Sequence, residues 1–235
     1  MSLWISFILN CAVAFMVIFA LAAGLAGWNF MGVEGSMDEP GLSLFKYFTV
    51  LSNILAGICC IGAAAGELLF LTGVSEKLSP VLYVLKFIGS SAVTLTLMVT
   101  AFFLRPQFEN PASLYYNGNL FFHLIVPVVS DLSFIFFERH APISFPETLL
   151  GPLPTVLYTV FYTTRVFRHL DNGRVDKNYD FYNFLNGKKE AAPAVIPIII
   201  SISYLLGLLL WWFNRIGRPD ITLLTNNSLL NNTEV

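Results

Sequence analysis

Two short stretches inside long apolar runs carry side chains that could do chemistry together. Thr49 lies in FKYFTVLSN (45–53), and His123 lies in NLFFHLIVP (119–127). A threonine hydroxyl is a weak nucleophile, and it becomes effective when a neighbouring imidazole removes its proton. The pair predicts attack on an acyl carbonyl, with Thr49 as the nucleophile and His123 as the general base.

The first stretch also holds polar groups that could stabilise an oxyanion. On one continuous helix, Lys46, Thr49 and Asn53 are spaced i, i+3 and i+7, so they share a face, and Ser52 lies beside it. We predict that Lys46, Ser52 or Asn53 donates a hydrogen bond to the oxyanion. Each residue also has a structural alternative, because a helical threonine often bonds its own backbone and a lysine can reach the lipid headgroups.

A third polar stripe lies near the end of the fifth apolar segment. Tyr158, Tyr162 and Arg165 are spaced i, i+4 and i+7 and share a helix face. We expect the tyrosines to line the cavity of the nucleophile and base, with Arg165 at its mouth, where its fork of donors suits a fatty acid carboxylate. The alternative is an interfacial aromatic belt with an arginine that reaches the headgroups.

The elements that must position these residues are membrane helices. Of the 235 residues, 56% are hydrophobic and 12% are charged, which is about half the charged share of a soluble domain. Several apolar runs exceed roughly 18 residues, the length that marks a membrane-spanning helix. The sequence therefore predicts an all-α, multi-pass integral membrane protein, and nothing in it indicates a nucleic-acid partner.

Six membrane-spanning helices follow from the apolar runs, and they form one bundle domain over residues 1–218. The predicted spans are about 3–30, 43–72, 80–104, 118–137, 149–167 and 191–213. The polar segment 219–235 is predicted to be a loosely ordered tail. An even number of spans places both termini on the same side of the membrane. GAAAG (62–66) has small residues four apart, which favours close packing of the second span against a neighbour.

In a six-span bundle, the loops after spans 1, 3 and 5 lie on one side, close to the candidate nucleophile and base. One polar pocket is therefore predicted to gather these groups. The loop after span 5 (171–190) holds four lysines and arginines and four aromatic residues. It is predicted to be either a lid, with Phe181, Tyr182 and Phe184 against lipid or substrate, or a plain interfacial anchor. Its basic residues favour a cytoplasmic location for these loops, with both termini outside.

Three charged residues fall in the other half of the bundle. Glu67, Lys86 and Asp131 lie at similar depth in three different spans. An isolated charge in hydrocarbon is costly, so we expect the three to approach one another. They could form a structural ion cluster that ties three helices together, or a path for protons or ions.

Neither a metal centre nor a cofactor is predicted. Cys11, Cys59 and Cys60 lie inside predicted spans and are expected to pack as small apolar residues. The three histidines are far apart in sequence, and no H-x-x-x-H or C-x-x-C pattern occurs.

Several of these segments resemble the androgen-induced gene family of multi-span membrane proteins. FKYFT (45–49) resembles the aromatic-Lys-aromatic-Leu-Thr start of that family's second hydrophobic segment, and NLFFHLIVP (119–127) resembles its histidine segment. LYTVFY (157–162) and YDFYNFLNG (179–187) are similar to its fifth segment and to the aromatic stretch that follows. Members of that family are described as threonine hydrolases of fatty acid esters of hydroxy fatty acids.

The resemblance implies that Thr49 is the nucleophile, that His123 is its base and that the substrate is a lipid ester. The chain departs from the family at Leu124, where the family has a threonine. Two functions stay open. One is an intramembrane hydrolase, and the other is a transporter or binding protein that uses the same pocket for an amphipathic ligand. A transporter favours internal symmetry and broken helices, and the sequence offers interior prolines but no evident repeat.

Overall fold

The structure is a computed structural model that describes residues 2–37, 39–140 and 142–216. Within these ranges the chain is almost entirely helical, as the sequence predicts. The tail predicted at 219–235 lies outside the described residues.

Six long helices form the described part of the fold, and a short hairpin lies between the last two. The helices are α1 Ser2–Ala26, α2 Phe48–Leu71, α3 Pro80–Met98, α4 Gly118–Phe136, α5 Leu153–Arg168 and α6 Ala192–Arg215. In the hairpin, β1 (Leu170–Asp171) pairs antiparallel with β2 (Arg174–Val175). Asn172 and Gly173 form its turn with φ angles of 49° and 80°, the left-handed backbone that two-residue hairpins favour. The all-α prediction missed this hairpin.

Five helical stretches are long and apolar enough to cross a membrane, and they indicate an integral membrane protein. They are Ser2–Ala26, Phe48–Leu71, Pro80–Gln107, Gly118–Phe136 and Lys189–Arg215. The predicted span 149–167 corresponds to α5, which has only 16 residues. A helix of that size is about 24 Å long, shorter than a hydrocarbon core of about 30 Å. Pro152 and Pro154 lack the amide hydrogens that would join α5 to the preceding 3₁₀ segment, Pro146–Leu150.

Helix α1 ends four residues earlier than predicted, because Gly27 leaves the helical conformation with φ 63°. The amide of Trp28 donates to the Ala23 carbonyl at 2.9 Å, and the amide of Gly27 donates to the Gly24 carbonyl at 3.1 Å. These two bonds are the Schellman pattern, and a glycine in this position stops a helix.

The start of α2 contradicts the prediction that Lys46 and Thr49 share one helix face. Residues Gly41–Lys46 form a 3₁₀ segment, and Tyr47 after it is extended, with φ −85° and ψ 132°. Helix α2 therefore begins at Phe48. Thr49 lies in its first turn, and Lys46 belongs to a separate element.

Small residues bring α2 close to both of its neighbours. A Cβ atom on Gly57 would lie 3.1 Å from Val17 Cγ1 of α1. Gly66, in the GAAAG stretch, faces Leu82 of α3 so closely that an added Cβ would clash. The predicted close packing of α2 is confirmed.

Three loops meet at one end of the bundle. The loop after α1 bonds to the loop after α3, where the Ser36 amide donates to the Ser113 carbonyl at 3.0 Å. The loop after α5 reaches the first of these, because Phe181 lies under the Lys46 ammonium, 5.4 Å from its ring centre. The three loops therefore gather at one end of the bundle.

A cluster of buried charges forms in the other half of the bundle, but with a different ion pair from the one predicted. Lys86 is fully buried, and its Nζ lies 3.3 Å from Glu138 Oε1. It also donates to Asn10 Oδ1 at 2.7 Å and to Cys60 Sγ at 2.9 Å. Glu138 folds back onto α4, where Ser133 donates to it at 2.6 Å. The sequence reading missed Glu138 because it follows the end of the span.

Glu67 joins this cluster indirectly. Ser6 donates to Glu67 Oε1 at 2.6 Å, and Asn10 Nδ2 lies 3.4 Å from Glu67 Oε2. Since the other end of the Asn10 amide accepts from Lys86, Asn10 links the carboxylate to the ammonium. Glu67 and Lys86 thus share one network through Asn10, although no direct ion pair joins them among the described residues.

Asp131 has a separate partner. Thr94 of α3 donates to Asp131 Oδ1 at 2.9 Å. Within the described residues, no ion pair joins Asp131 to Lys86, because Glu138 takes that position. Asp131 therefore lies beside the cluster without an ion pair to Lys86.

Replacing Lys86 should destabilise the bundle strongly. Lys86→Met leaves Glu138 buried without its cation, so we expect a loss of about 3–5 kcal/mol of unfolding free energy. The double variant Lys86→Met/Glu138→Leu should recover most of that loss, because it removes both charges. Unfolding of the purified protein in detergent measures both, with Lys77→Met in an exposed loop as the control. Equal stability of Lys86→Met and wild type would contradict a structural role for this pair.

Candidate functional site

Two cavities at the loop end of the bundle meet at Thr49. The first, here called the apolar cavity, lies between α2, α3, α5 and α6. Its walls include Phe48, Thr49, Val99, Tyr158, Tyr182 and Ile196. Threonine and tyrosine residues alternate with apolar residues in this wall, and the surface that they turn to the cavity is apolar.

The second, here called the histidine cavity, lies between α1, α2 and α4. Its walls include Glu39, Tyr47, Thr49, Asn119 and His123. Among the described residues, Thr49 alone lines both cavities. The structure thus brings Thr49 and His123 to one cavity, as the sequence predicts.

The orientation of His123 suits a general base. Its Nδ1 lies 2.5 Å from the carbonyl oxygen of Leu114. A carbonyl only accepts, so in the neutral ring Nδ1 carries the hydrogen and Nε2 is the basic nitrogen. No hydrogen bond joins Thr49 to His123 among the described contacts, and such gaps in unliganded sites often close when substrate binds.

A π-helical turn, Phe121–Ile125, sets the position of His123 within α4. In such a turn each carbonyl accepts from the amide five residues later, and for Phe122 that residue is Pro127, which has no amide hydrogen. Asn53 of α2 replaces the missing donor, because its Nδ2 donates to the Phe122 carbonyl at 3.0 Å. Pro127 thus explains the π-helical turn, and the carbonyl that the turn leaves without an amide partner depends on Asn53 of α2.

Asn53 and Ser52 hold the backbone together, which does not fit the oxyanion role predicted for them. The second amide hydrogen of Asn53 goes to the Thr49 carbonyl at 2.7 Å, so both of its donors are used inside the protein. Ser52 Oγ lies 3.0 Å from the same carbonyl and 2.8 Å from Thr96 Oγ1. Neither residue lines either cavity.

The first turn of α2 offers other donors beside Thr49. The first amides of any helix have no acceptor within it. In α2 the preceding residue, Tyr47, provides no side-chain capping bond to replace one. The amide of Thr49 donates to the Tyr182 hydroxyl at 3.4 Å. Partial positive charge from the helix dipole concentrates at the same end. An oxyanion formed at Thr49 would lie close to these groups.

Lys46 connects the loops and lines neither cavity. Its Nζ lies 2.5 Å from Glu39 Oε1 and over the ring of Tyr47, 5.0 Å from the ring centre. Burial raises the pKa of Glu39, but hydrogen bonds from Lys46 and Tyr47 outweigh burial and hold that pKa below its usual range. Glu39 therefore stays charged at neutral pH as the partner of Lys46. An oxyanion role for Lys46 does not fit this position.

Tyr158 and Tyr162 lie in the wall of the apolar cavity with Thr49, whereas His123 lines the other cavity, so the single pocket predicted for these groups is divided in two. Tyr158 donates to the Lys46 carbonyl at 2.7 Å. Tyr162 donates to Asp180 in the loop after α5, and the other Asp180 oxygen accepts from the Leu185 amide at 3.0 Å. These bonds fold the loop onto the bundle.

The aromatic residues of this loop cover the apolar cavity. Tyr182 and Phe184 form part of its wall, and Phe181 packs edge-on against Tyr47 with ring centres 5.0 Å apart. This placement favours the lid interpretation over the plain anchor, because two of the three predicted aromatic side chains close the cavity beside Thr49.

Arg165 does not lie at the cavity mouth, and that prediction is wrong. Its guanidinium lies over the ring of Tyr179, 5.6 Å from the ring centre. With Arg168 and His169 it borders a separate groove on the outer side of α5. The long side chain turns toward the following loop instead of toward the tyrosines.

Sequence reasoning missed two buried polar residues near Thr49. The Thr100 hydroxyl is buried in the wall of the apolar cavity and has no hydrogen-bond partner among the described residues. It lies in the π-helical turn Val99–Leu104, and the Arg105-Pro106 step after it is the only sequence signal of that irregularity. Asp180 was missed because its partner, Tyr162, is distant in sequence.

Comparison of the chain with models of known families, with curated proteins and with solved structures gives no match. The function is therefore argued from the two cavities and from the residues that line them. Thr49, shared by both, is the centre of that argument.

Replacing Asn53 should separate its structural role from an oxyanion role. Asn53→Ala leaves the Phe122 carbonyl buried without a donor, so we expect a loss of about 1–3 kcal/mol of unfolding free energy. Ser52→Ala should cost less, because it leaves that carbonyl bonded. Unfolding in detergent measures both variants. An Asn53→Ala protein with unchanged stability would contradict the structural role.

Proposed function

We propose that this protein is an intramembrane hydrolase of lipid esters, such as fatty acid esters of hydroxy fatty acids. The position of Thr49 carries the proposal, because this residue lines both the apolar cavity and the cavity of His123. An acyl chain in the first cavity brings its ester carbonyl to the hydroxyl, and the base lies on the other side. The resemblance of FKYFT and NLFFHLIVP to the androgen-induced gene family supports the same two residues.

In the first step, Thr49 Oγ1 attacks the ester carbonyl while His123 Nε2 accepts the hydroxyl proton. The tetrahedral intermediate collapses, the imidazolium gives the proton to the leaving alcohol, and a threonyl ester remains. In the second step, the same imidazole takes a proton from water, which attacks the threonyl ester. The acid is released as Thr49 recovers its proton.

Donors at the start of α2 would stabilise the oxyanion in both steps. The amides of the first helical turn lie next to Thr49 and have no acceptor within the helix. Burial raises the pKa of Tyr182, so its hydroxyl stays protonated and is able to donate as well. One such donor is worth roughly 3 kcal/mol in well-studied enzymes.

The substrate's acyl chain would lie in the apolar cavity, against residues such as Val99, Val195 and Ile199. The bilayer supplies the substrate directly, so it need not cross water. The proposed reaction requires no cofactor, because proton transfer and nucleophilic attack come from side chains.

We also propose that α5, together with the 3₁₀ segment Pro146–Leu150, completes a sixth crossing of the membrane. The meeting of the loops after α1, α3 and α5 at one end supports this topology. Both termini then share one side of the membrane. The basic residues of the loop after α5 favour the cytoplasm for the loop side.

Removal of either catalytic group should abolish turnover. We expect Thr49→Ala and His123→Ala to lower the hydrolysis rate of a long-chain lipid ester by roughly 100-fold or more, because each removes an essential proton donor or acceptor. Labelling by a fluorophosphonate probe should disappear in Thr49→Ala. Thr72→Ala and His169→Ala, at exposed positions, are matched controls and should behave as wild type.

The proposal would be contradicted if this protein bound lipid esters but did not hydrolyse them. The apolar cavity would then be a binding site of the kind that a transporter or lipid-binding protein uses. Retention of the hydrolysis rate by Thr49→Ala would equally contradict it.

Arg165 should not select for acidic substrates. Because its guanidinium lies over Tyr179 outside the apolar cavity, we expect Arg165→Ala to leave the ratio of kcat/KM for acidic and neutral esters within about twofold, as is usual for a partly exposed charge. Competition between a free-acid ester and its methyl ester measures this ratio. A selective loss for the acidic ester would mean that Arg165 turns toward the site when substrate binds.

A further inference from the structure

A third cavity continues the histidine cavity toward the loop end of the bundle. This cavity, here called the vestibule, has walls that include Gly24, Trp28, Glu34, Asn117 and Gly118. Gly24 and Gly118 line the histidine cavity as well. The three cavities therefore adjoin one another: the vestibule and the histidine cavity share Gly24 and Gly118, and the histidine cavity and the apolar cavity share Thr49.

The junction between the vestibule and the histidine cavity is formed by two residues without side chains. A Cβ atom on Gly24 would lie 3.4 Å from Leu44 Cδ2, and one on Gly118 would lie 3.3 Å from the Ala20 carbonyl oxygen. Larger residues would place more atoms in this space. The two glycines thus allow close contacts where the vestibule and the histidine cavity share a wall.

The walls of this route differ chemically from those of the apolar cavity. Glu34 lies in the vestibule and Glu39 in the histidine cavity. Hydrogen bonds to Glu39, acting against burial, hold its pKa below the usual range, so it is ionised at neutral pH. Carboxylates accept hydrogen bonds from water and repel an anionic product such as a fatty acid carboxylate.

We propose that the vestibule delivers the hydrolytic water to Thr49, whereas the lipid ester arrives and the fatty acid leaves through the apolar cavity. This inference rests on the proposed hydrolase function. Water from the vestibule meets His123 before it meets the threonyl ester. His123 takes one proton, the hydroxide oxygen bonds to the acyl carbon, and the bond to Thr49 Oγ1 breaks as the proton returns to that oxygen.

Closing the junction should slow the second step alone. Gly24→Leu adds a large side chain at this shared wall, against Leu44, whereas Ala22→Leu adds nearly the same bulk to α1 at an exposed position. With a long-chain p-nitrophenyl ester, Gly24→Leu should keep an acylation burst within about twofold of wild type and lose roughly tenfold or more in the later steady rate. Mass spectrometry should find acyl groups accumulated on Thr49. Ala22→Leu should match wild type in both phases.

A second measurement does not depend on turnover. Ala20 lines the histidine cavity, whereas Ala14 is buried elsewhere on the same helix. Silver ion is small and stays in water, so it should protect Ala20→Cys, but not Ala14→Cys, from later alkylation after denaturation. Adding Gly24→Leu to Ala20→Cys should slow that protection by roughly tenfold or more.

These measurements distinguish failure of the proposed water route from failure of the proposed hydrolase function. Equal slowing of acylation and deacylation in Gly24→Leu would overturn the water route, and so would silver protection of Ala20→Cys no faster than that of Ala14→Cys. If Gly24→Leu does not fold, the comparison of Ala20→Cys with Ala14→Cys decides alone. A wild-type protein that never forms an acyl-threonine would refute the hydrolase itself, and this result is visible before any variant is compared.

Discussion

One side-chain amide joins the backbone of the candidate nucleophile to the backbone beside the candidate base. Asn53 Nδ2 donates to the Thr49 carbonyl at 2.7 Å and to the Phe122 carbonyl at 3.0 Å. Phe122 is buried, so the carbonyl that Pro127 leaves without an amide partner needs another donor, and Asn53 supplies it. The fixed relation between α2 and the π-helical turn of α4 depends on this contact, and so does the shared wall of Thr49 and His123.

Further contacts hold the other parts of the site around the Asn53 hydrogen bonds. The Leu114 carbonyl fixes the ring of His123, and the loop after α5 covers the apolar cavity from the other side. Asp180 holds this loop in place through Tyr162, and Tyr182 then reaches the start of α2. Asp180 and Tyr182, the buried polar residues of this loop, thus each have a bonding partner in the bundle, which explains how the loop packs against apolar helices.

Buried polar groups in the opposite half of the molecule also have partners within the protein. Lys86 is fully buried, and it is satisfied by Glu138, Asn10 and Cys60 together. Ion pairs of this kind are weak evidence for net stability, but breaking one leaves a charge that hydrocarbon cannot solvate. The two polar networks lie at opposite ends of the bundle, so a change in one need not disturb the other.

The sequence by itself determined the class of protein, the approximate bounds of the helices and the return of Thr49, His123, Tyr158 and Tyr162 to one end of the bundle. Those features depend on local hydrophobicity, on helical periodicity and on the parity of the loops, and all three can be read along the chain. The sequence left the partner of Lys86 open, and the position that it predicted for Arg165 does not match the structure.

Only the tertiary structure decided which group satisfies each buried polar atom. Glu138 lies beyond the apolar run of α4, and Asp180 lies in a loop, so no periodic pattern marks either as a partner. The sequence predicted that Asn53 donates to an oxyanion, but in the structure Asn53 donates to the Phe122 carbonyl, which Pro127 leaves without an amide partner. A hydrogen bond is short and directional, so its partner depends on the packing of distant segments to within an ångström, whereas the drive to bury apolar surface depends mainly on composition and spacing.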